Sequence, residues 1–598
     1  MSLMEPLRGV HATEGSGLCL ALVLLSGLML ACAALACGGR PAGPPADLIL
    51  VNGSVLTLDD GHPEAQAVAV RQGRIQAVGT RSAIESLAGP GTRVVDLGGG
   101  LAVPGLIDAH GHVRSLGERM DSLQLQDADS IDEVVRRVRL RAADLADGEW
   151  VTGGGWNNTR WPGARLPDHR PLDEAAPGHP VWLSRVDGHA GWANRAAMKL
   201  AGITRATPDP PGGRIEHDAS GEPTGVLIDN ATDLIDRVRP APGRERIKHW
   251  IRTALDRCAE VGLTEVHDAG VDEEEAAAYR EMADAGQLPV RVYLMWSGMS
   301  LGKAGLERRL REPPLVDYRD RLTLRAVKLM IDGAMGSRGA VFHEDYADDP
   351  GNRGLFVIQP ETIEEDAALA LRHGYQVCTH AIGDRGISLV LDAYEKILAG
   401  REAAPGSGER EATPGAAGDP RLRIEHLQCV AAHDIPRLRA LGVIASMQPS
   451  HATSDMGWAD DRVGRERGRG LYAWRWVLDG GVMIAAGSDF PVDPEMPLVG
   501  LHSAVTRQDL KDRPAGGWHP EQSMTLMEAL RAYTQGAAYA AFEEDRKGRI
   551  APGFWADLTV FRQDPRALAV DRIDDAGIAY TIVGGTVVHE ASREPAGG

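Results

Sequence analysis

Eight short apolar runs constrain this chain more than any other feature: residues 103–112, 264–267, 290–294, 325–332, 376–380, 422–426, 442–447 and 482–489. Each has strand length, and most are separated by helix-compatible stretches such as 361–372 and 434–441. A strand followed by a helix, repeated eight times, closes into a parallel barrel with its active site at the C-terminal strand ends. The predicted fold class is therefore α/β, a (β/α)8 TIM-like barrel.

Several of these runs end in a residue with metal or proton chemistry. The first delivers His110 and His112, two apart, so that on a strand both imidazoles face the same side and reach one cation. The fourth run ends in Asp332, the fifth in His380, the sixth in His426 and the eighth in Asp489. Singly each has an ordinary reading: a surface or core histidine, or a turn aspartate between Gly-Ser and Phe-Pro. Together they place nitrogen and oxygen donors from strands one, four, five, six and eight at one mouth, the way a catalytic divalent metal site is built.

The wording around these positions resembles the amidohydrolase superfamily. Pro104-Gly-Leu-Ile-Asp-Ala-His-Gly-His112, Asp332-Gly-Ala-Met-Gly-Ser-Arg338, His380-Ala-Ile-Gly-Asp384, Arg423-Ile-Glu-His426 and Gly487-Ser-Asp-Phe-Pro491 look like its amidohydrolase 3 branch, home of YtcJ-like proteins and N-substituted formamide deformylases. The likeness covers roughly residues 47–590. It implies a binuclear site held by His110, His112, Lys328, His380, His426 and Asp489, with two divalent ions, zinc suiting imidazole and carboxylate donors.

Lys328 cannot ligate as an ammonium. Flanked by Val327, Leu329 and Met330, it is desolvated, which favours the neutral amine. The resemblance implies that this amine is carboxylated and bridges both ions. A lysine paired with Asp332, or a one-metal site with a charged Lys328, are the competing readings. On the resemblance, the ions supply hydroxide at neutral pH, and Asp489 passes its proton to a departing amine. The expected reaction is hydrolysis of a carbon–nitrogen bond in a small-molecule amide, non-peptide, such as an N-formyl or N-acyl amine. An ester or lactone hydrolase, or an exported binding protein that has lost catalysis, are the alternatives.

Four residues are candidates for the substrate side. Trp156 and His189 lie in an insertion at about 150–240, where Trp156 walls an apolar pocket or packs a core and His189 polarises a carbonyl. His267 at the end of strand two and Arg338 after strand four line the mouth or support it from behind. Ser130-Ile-Asp-Glu133 reads as a capping box opening a helix.

Short β-rich runs at both ends, residues 47–103 and 548–590, read as one discontinuous β-sandwich beside a barrel of 104–547. Residues 400–420 read as a flexible surface loop. Residues 1–37 read as an export signal of lipoprotein type, with Cys37 or Cys32 as the lipidated residue and 38–46 as a linker. The expected location is the periplasmic side of a bacterial membrane, with membrane contact only through that anchor. A formal net charge of -20 excludes electrostatic binding to nucleic acid or to an anionic membrane. Three of the six cysteines fall in the leader, so no disulfide framework is expected, and a homodimer is the expected assembly.

Overall fold

A computed structural model describes residues 43–185, 190–210, 213–402 and 419–592. The export signal, His189 and most of the 400–420 segment lie outside the described residues. None of the described helices is long and apolar enough to cross a membrane.

The eight runs form eight parallel strands: Leu106–Gly111, Leu263–Val271, Arg291–Ser297, Leu322–Met330, Gln376–Ala381, Arg423–His426, Ile444–Met447 and Ile484–Ala486. Each pairs with the next in this order. Side chains inside the barrel and under the outer helices are both buried, which is why the runs are apolar throughout and do not alternate. The outer helices show the complementary pattern. Arg244–Glu260 buries Ile247, Trp250, Ile251, Ala254, Leu255 and Cys258 at three- and four-residue spacing.

Strands eight and one close the barrel at its mouth. The Asp489 N–H donates to the His110 carbonyl (2.7 Å) and the His112 N–H to the Phe490 carbonyl (2.8 Å). Asp108, wholly buried, accepts from the His110 N–H (3.0 Å), the Ser488 N–H (3.1 Å) and the Ser488 hydroxyl (2.6 Å). Gly487 is needed for this approach, because a Cβ there would stand 2.6 Å from the His110 nitrogen. The closure sets Asp489 beside the strand-one histidines.

A six-stranded side sheet follows strand one, with strands Leu123–Gln124, Val151–Trp156, Val181–Arg185, Ala190–Ala193, Gly213–His217 and Pro223–Asp229. It begins earlier than the sequence suggested. The helix Ile131–Ala143 turns Val134, Val138 and Ala142 onto this sheet's core. Ser130 caps it by accepting the Glu133 N–H, while the Glu133 carboxylate binds Arg136 and Arg137, so only half of the expected capping box forms.

Trp156 belongs to that core. It is fully buried, its Nε1–H donates to the Leu183 carbonyl (2.7 Å), and its ring lies 5.7 Å from Trp161 and 6.1 Å from Trp192. The pocket-wall reading of Trp156 is therefore corrected: an indole with its one donor satisfied inside a core has nothing to offer a ligand.

Both chain ends build a four-stranded and a six-stranded sheet that share a core of Leu50, Val68, Val70, Leu558, Val560 and Ile582. Arg291 at the start of strand three ties this body to the barrel through a two-pronged pair with Asp557 (2.7 and 3.0 Å).

The helix Glu273–Asp284, after strand two, starts with a full capping box between Asp272 and Glu275. Burial, then the charge of Asp268, pushes the Glu275 carboxyl up from 4.5 to about 7. A carboxyl raised on folding adds stability below its unfolded pKa, and the gain is lost as pH rises through about 7. Glu275→Gln keeps the acceptor and removes the titration. Relative to wild type it should gain on the order of 1–3 kcal/mol between about pH 5 and pH 8, read from urea denaturation at both values.

Candidate metal centre

The strand ends bring five side chains into one buried cluster with His112 at its rim. His110 Nε2 and His112 Nε2 lie 3.6 and 3.2 Å from Asp489 Oδ1. The Lys328 Nζ is 3.2 Å from His110 Nε2. The His426 ring is 4.7 Å from that of His110 and 4.5 Å from that of His380. Register accounts for the convergence: Met330 pairs with His380, and Ala381 with His426.

This arrangement fits a divalent cation. One ligand atom each from His110, His426 and Asp489 lie within 4.8 Å of one another. Two donors each about 2.1 Å from one tetrahedral zinc stand about 3.4 Å apart, close to the His–Asp separations here. Asp489 Oδ1 and His380 Nε2 are buried with no hydrogen-bond partner. The outer nitrogens of two histidines are already committed to oxygens: His110 Nδ1 to Glu425 Oε2 (2.5 Å) and His426 Nδ1 to Gln448 Oε1 (2.9 Å). A carboxylate or carbonyl only accepts, so each Nδ1 carries the proton and each Nε2 turns a lone pair inward.

The electrostatics keep the donors in ligating form. Burial first, and then the Lys328 charge, lowers His110 to about 4, and burial holds His380 and His426 well below the usual imidazole range. Burial likewise lowers Lys328. Burial opposes ionisation of Asp489, yet the surrounding His112, His110, His426 and His451 together hold its carboxyl well below the ordinary value. His426 (φ 75°) and Asp489 (φ 60°) both occupy the left-handed region, strained for residues with a side chain and typical of functional sites.

Beneath the cluster lies a buried ion pair. Arg423 Nε donates to Glu425 Oε1 (2.8 Å), and its Nη2 reaches Glu425 Oε2 (3.1 Å), the Ala109 carbonyl (2.7 Å) and the Ser446 hydroxyl (2.9 Å). Burial opposes the charge on Glu425, but Arg423, His110 and Lys328 together keep the carboxyl well below its usual range.

Two substrate-side expectations are corrected. His267 is wholly buried within the barrel, its Nδ1 accepting from Arg423 Nη1 (3.1 Å), so it braces the arginine and does not line the mouth. Arg338 turns outward to Asp348 (2.9 Å) while its neighbours Ala334, Met335 and Gly336 line the cavity. Asp332 accepts the backbone N–H groups of Val341, Ile382 and Gly383 at 2.8 to 3.0 Å, which removes it as the partner of Lys328.

A cavity of about 500 Å³ opens on the cluster. Its lining combines the polar His112, Lys328, His380, His426, His451, Gln428 and Asp489 with the apolar Met299, Met330, Met335, Ile382, Trp458 and Val492. His451, Gln448 and Gln428 were not singled out from the sequence. The signal for Gln448 and His451 was present in Met447-Gln-Pro-Ser-His451, which ends strand seven with polar residues and then starts the helix Pro449–Asp455.

A parallel barrel with histidines and a carboxylate gathered at its C-terminal mouth defines a metal-dependent hydrolase scaffold. The chain belongs to the amidohydrolase family, whose profile matches residues 93–589. It is 36% identical to the protein LONG AFTER FAR-RED 3 of Arabidopsis thaliana over 87% of this chain and 88% of that one. It is 31% identical to the putative amidohydrolase YtcJ of Bacillus subtilis (90% and 99% covered) and 30% identical to the N-substituted formamide deformylase of Arthrobacter pascens (91% and 98%). Among solved structures it resembles an uncharacterised metal-dependent hydrolase from Pyrococcus furiosus, with a TM-score of 0.71 and 26% identity over 87% of this chain and 99% of that one.

Glu425→Gln leaves the buried Arg423 charge without its counter-ion, at a cost of about 3–5 kcal/mol of stability, and weakens the hold on the His110 tautomer. Zinc affinity, measured by competition with a chromogenic chelator, is expected to fall about 10- to 100-fold. Unchanged affinity would remove Glu425 from the support of the site.

Proposed function

We propose that this chain hydrolyses the carbon–nitrogen bond of a small non-peptide amide, an N-formyl or N-acyl amine, using two divalent ions, zinc foremost. His110, His112, Lys328, His380, His426 and Asp489 would hold them, with Lys328 as a bridging carbamate. Ions bound there lower the pKa of water and polarise a carbonyl group.

The observation that carries the reading is the position of Asp489. It is ionised and buried, with Oδ1 towards His110 and His112 and Oδ2 on the side of His451. A carboxylate so placed accepts a proton from the attacking water and returns it to the departing nitrogen, and an amine leaves readily only when protonated. Water oxygen bonds to the carbonyl carbon, the carbon–nitrogen bond breaks, and the transferred proton ends on the amine.

The cavity supports an uncharged substrate. Among its described lining residues Lys328 is the single lysine or arginine, and it lies in the ligand cluster, so nothing remains to neutralise a substrate carboxylate. The apolar lining of Met299, Met330, Met335 and Trp458 suits an apolar amine substituent. The likeness to the Arthrobacter N-substituted formamide deformylase supports the same bond.

The surroundings of Lys328 support the bridging role. Its buried, lowered amine is the form that adds carbon dioxide, whereas an ammonium 3.2 Å from His110 Nε2 would compete for the lone pair a cation needs.

Zinc-loaded protein should hydrolyse formanilide or acetanilide faster than phenylacetylated amino acids. 1,10-Phenanthroline should abolish the activity and added zinc restore it, while Asp489→Asn should lower kcat by about 10²- to 10⁴-fold. Absence of turnover on all amides, with phenyl acetate cleaved, would reassign the site to esters.

A further inference from the structure

Two glutamine–histidine pairs tie the ends of strands six and seven together in opposite senses. His426 Nδ1 meets Gln448 Oε1 at 2.9 Å, and His451 Nδ1 meets Gln428 Nε2 at 3.1 Å. Gln448 also donates its Nε2 to the Ser446 carbonyl (3.3 Å), which fixes the orientation of its amide. The carbonyl of Gln448 accepts, so His426 carries its proton on Nδ1 and offers a bare Nε2 to a cation. The amide nitrogen of Gln428 donates, so neutral His451 carries its proton on Nε2. The two rings lie nearly parallel (6°), 6.1 Å apart.

His451 Nε2 is buried and has no hydrogen-bond partner. Its side chain lines the cavity, and its nearest carboxylate oxygens, Asp489 Oδ2 at 3.7 Å and Asp493 Oδ2 at 4.0 Å, are beyond hydrogen-bond reach. A buried donor without an acceptor costs about 1–3 kcal/mol, a cost that a ligand oxygen in the cavity would relieve.

We propose that His451 is a catalytic residue that donates its Nε2–H to the substrate carbonyl oxygen, with Gln428 as the positioning residue that sets its tautomer. An N–H in this place recognises only an acceptor, hence the carbonyl oxygen and not the amide N–H. Its donor strengthens as negative charge grows on that oxygen, while Asp489 Oδ2, on the neighbouring side, handles the water proton. In this tautomer the inward nitrogen of the ring offers no lone pair to a metal.

The proposal rests on the hydrolytic reading of the site, but its test does not need turnover. Phenylphosphinate presents two oxygens on a tetrahedral centre, as the reacting carbon does, and its binding to the zinc-loaded full chain is read by calorimetry. His451→Leu should weaken it about 100-fold, and Gln428→Glu, which turns the tautomer over, by a similar factor. His451→Gln, which keeps an N–H near the same point, should stay within about tenfold of wild type. Zinc content should be equal in all four proteins. Binding to His451→Leu as tight as to wild type, or zinc lost from that variant, overturns the assignment. Failure of amide hydrolysis with this pattern intact would count against the amide reading alone.

Discussion

The pairing of Arg423 with Glu425 inside the barrel is the interaction on which the site depends. Two charges at zero exposure survive there only because each satisfies the other and the remaining guanidinium donors reach Ala109, Ser446 and His267. Breaking such a pair from one side costs about 3–5 kcal/mol, since the other charge is left buried alone. Glu425 spends its second oxygen on His110 Nδ1 and thereby decides which nitrogen of His110 faces the mouth. Protonation state, ring orientation and barrel interior are set by one contact.

The same logic recurs around the mouth. Glu425 and Gln448 each hold a histidine with its lone pair inward, whereas Gln428 holds His451 with its proton inward. Chemically similar rings thus receive different roles from their outer partners. The left-handed backbone at His426 and Asp489 shows that strand ends are bent to deliver these side chains, and the Asp108–Ser488 contacts supply the restraint against which that bending is held.

The barrel and the convergence of His110, His112, His380, His426 and Asp489 were legible in the sequence because both follow from strand periodicity, whereas Lys328 as a ligand came from the family resemblance. A run that is apolar on two faces and ends in a donor marks both a barrel strand and a residue at its mouth. Trp156, His267 and Arg338 each kept two readings in the sequence because sequence position gives the element but not the neighbour. Trp156 met two other tryptophans, His267 met Arg423, and Arg338 met Asp348. His451 went unnoticed because it sits beyond strand seven on a short helix, where strand spacing no longer says which way a side chain turns.

The most direct measurement is anomalous diffraction at the zinc edge from crystals of the zinc-loaded protein. Two peaks are expected, one about 2.0–2.2 Å from His110 Nε2 and an Asp489 oxygen, and the other at the same distance from His426 Nε2, with added density on the Lys328 nitrogen between them. A single peak with a bare Lys328 amine would contradict the binuclear site, and no peak among these side chains would contradict the metal centre itself.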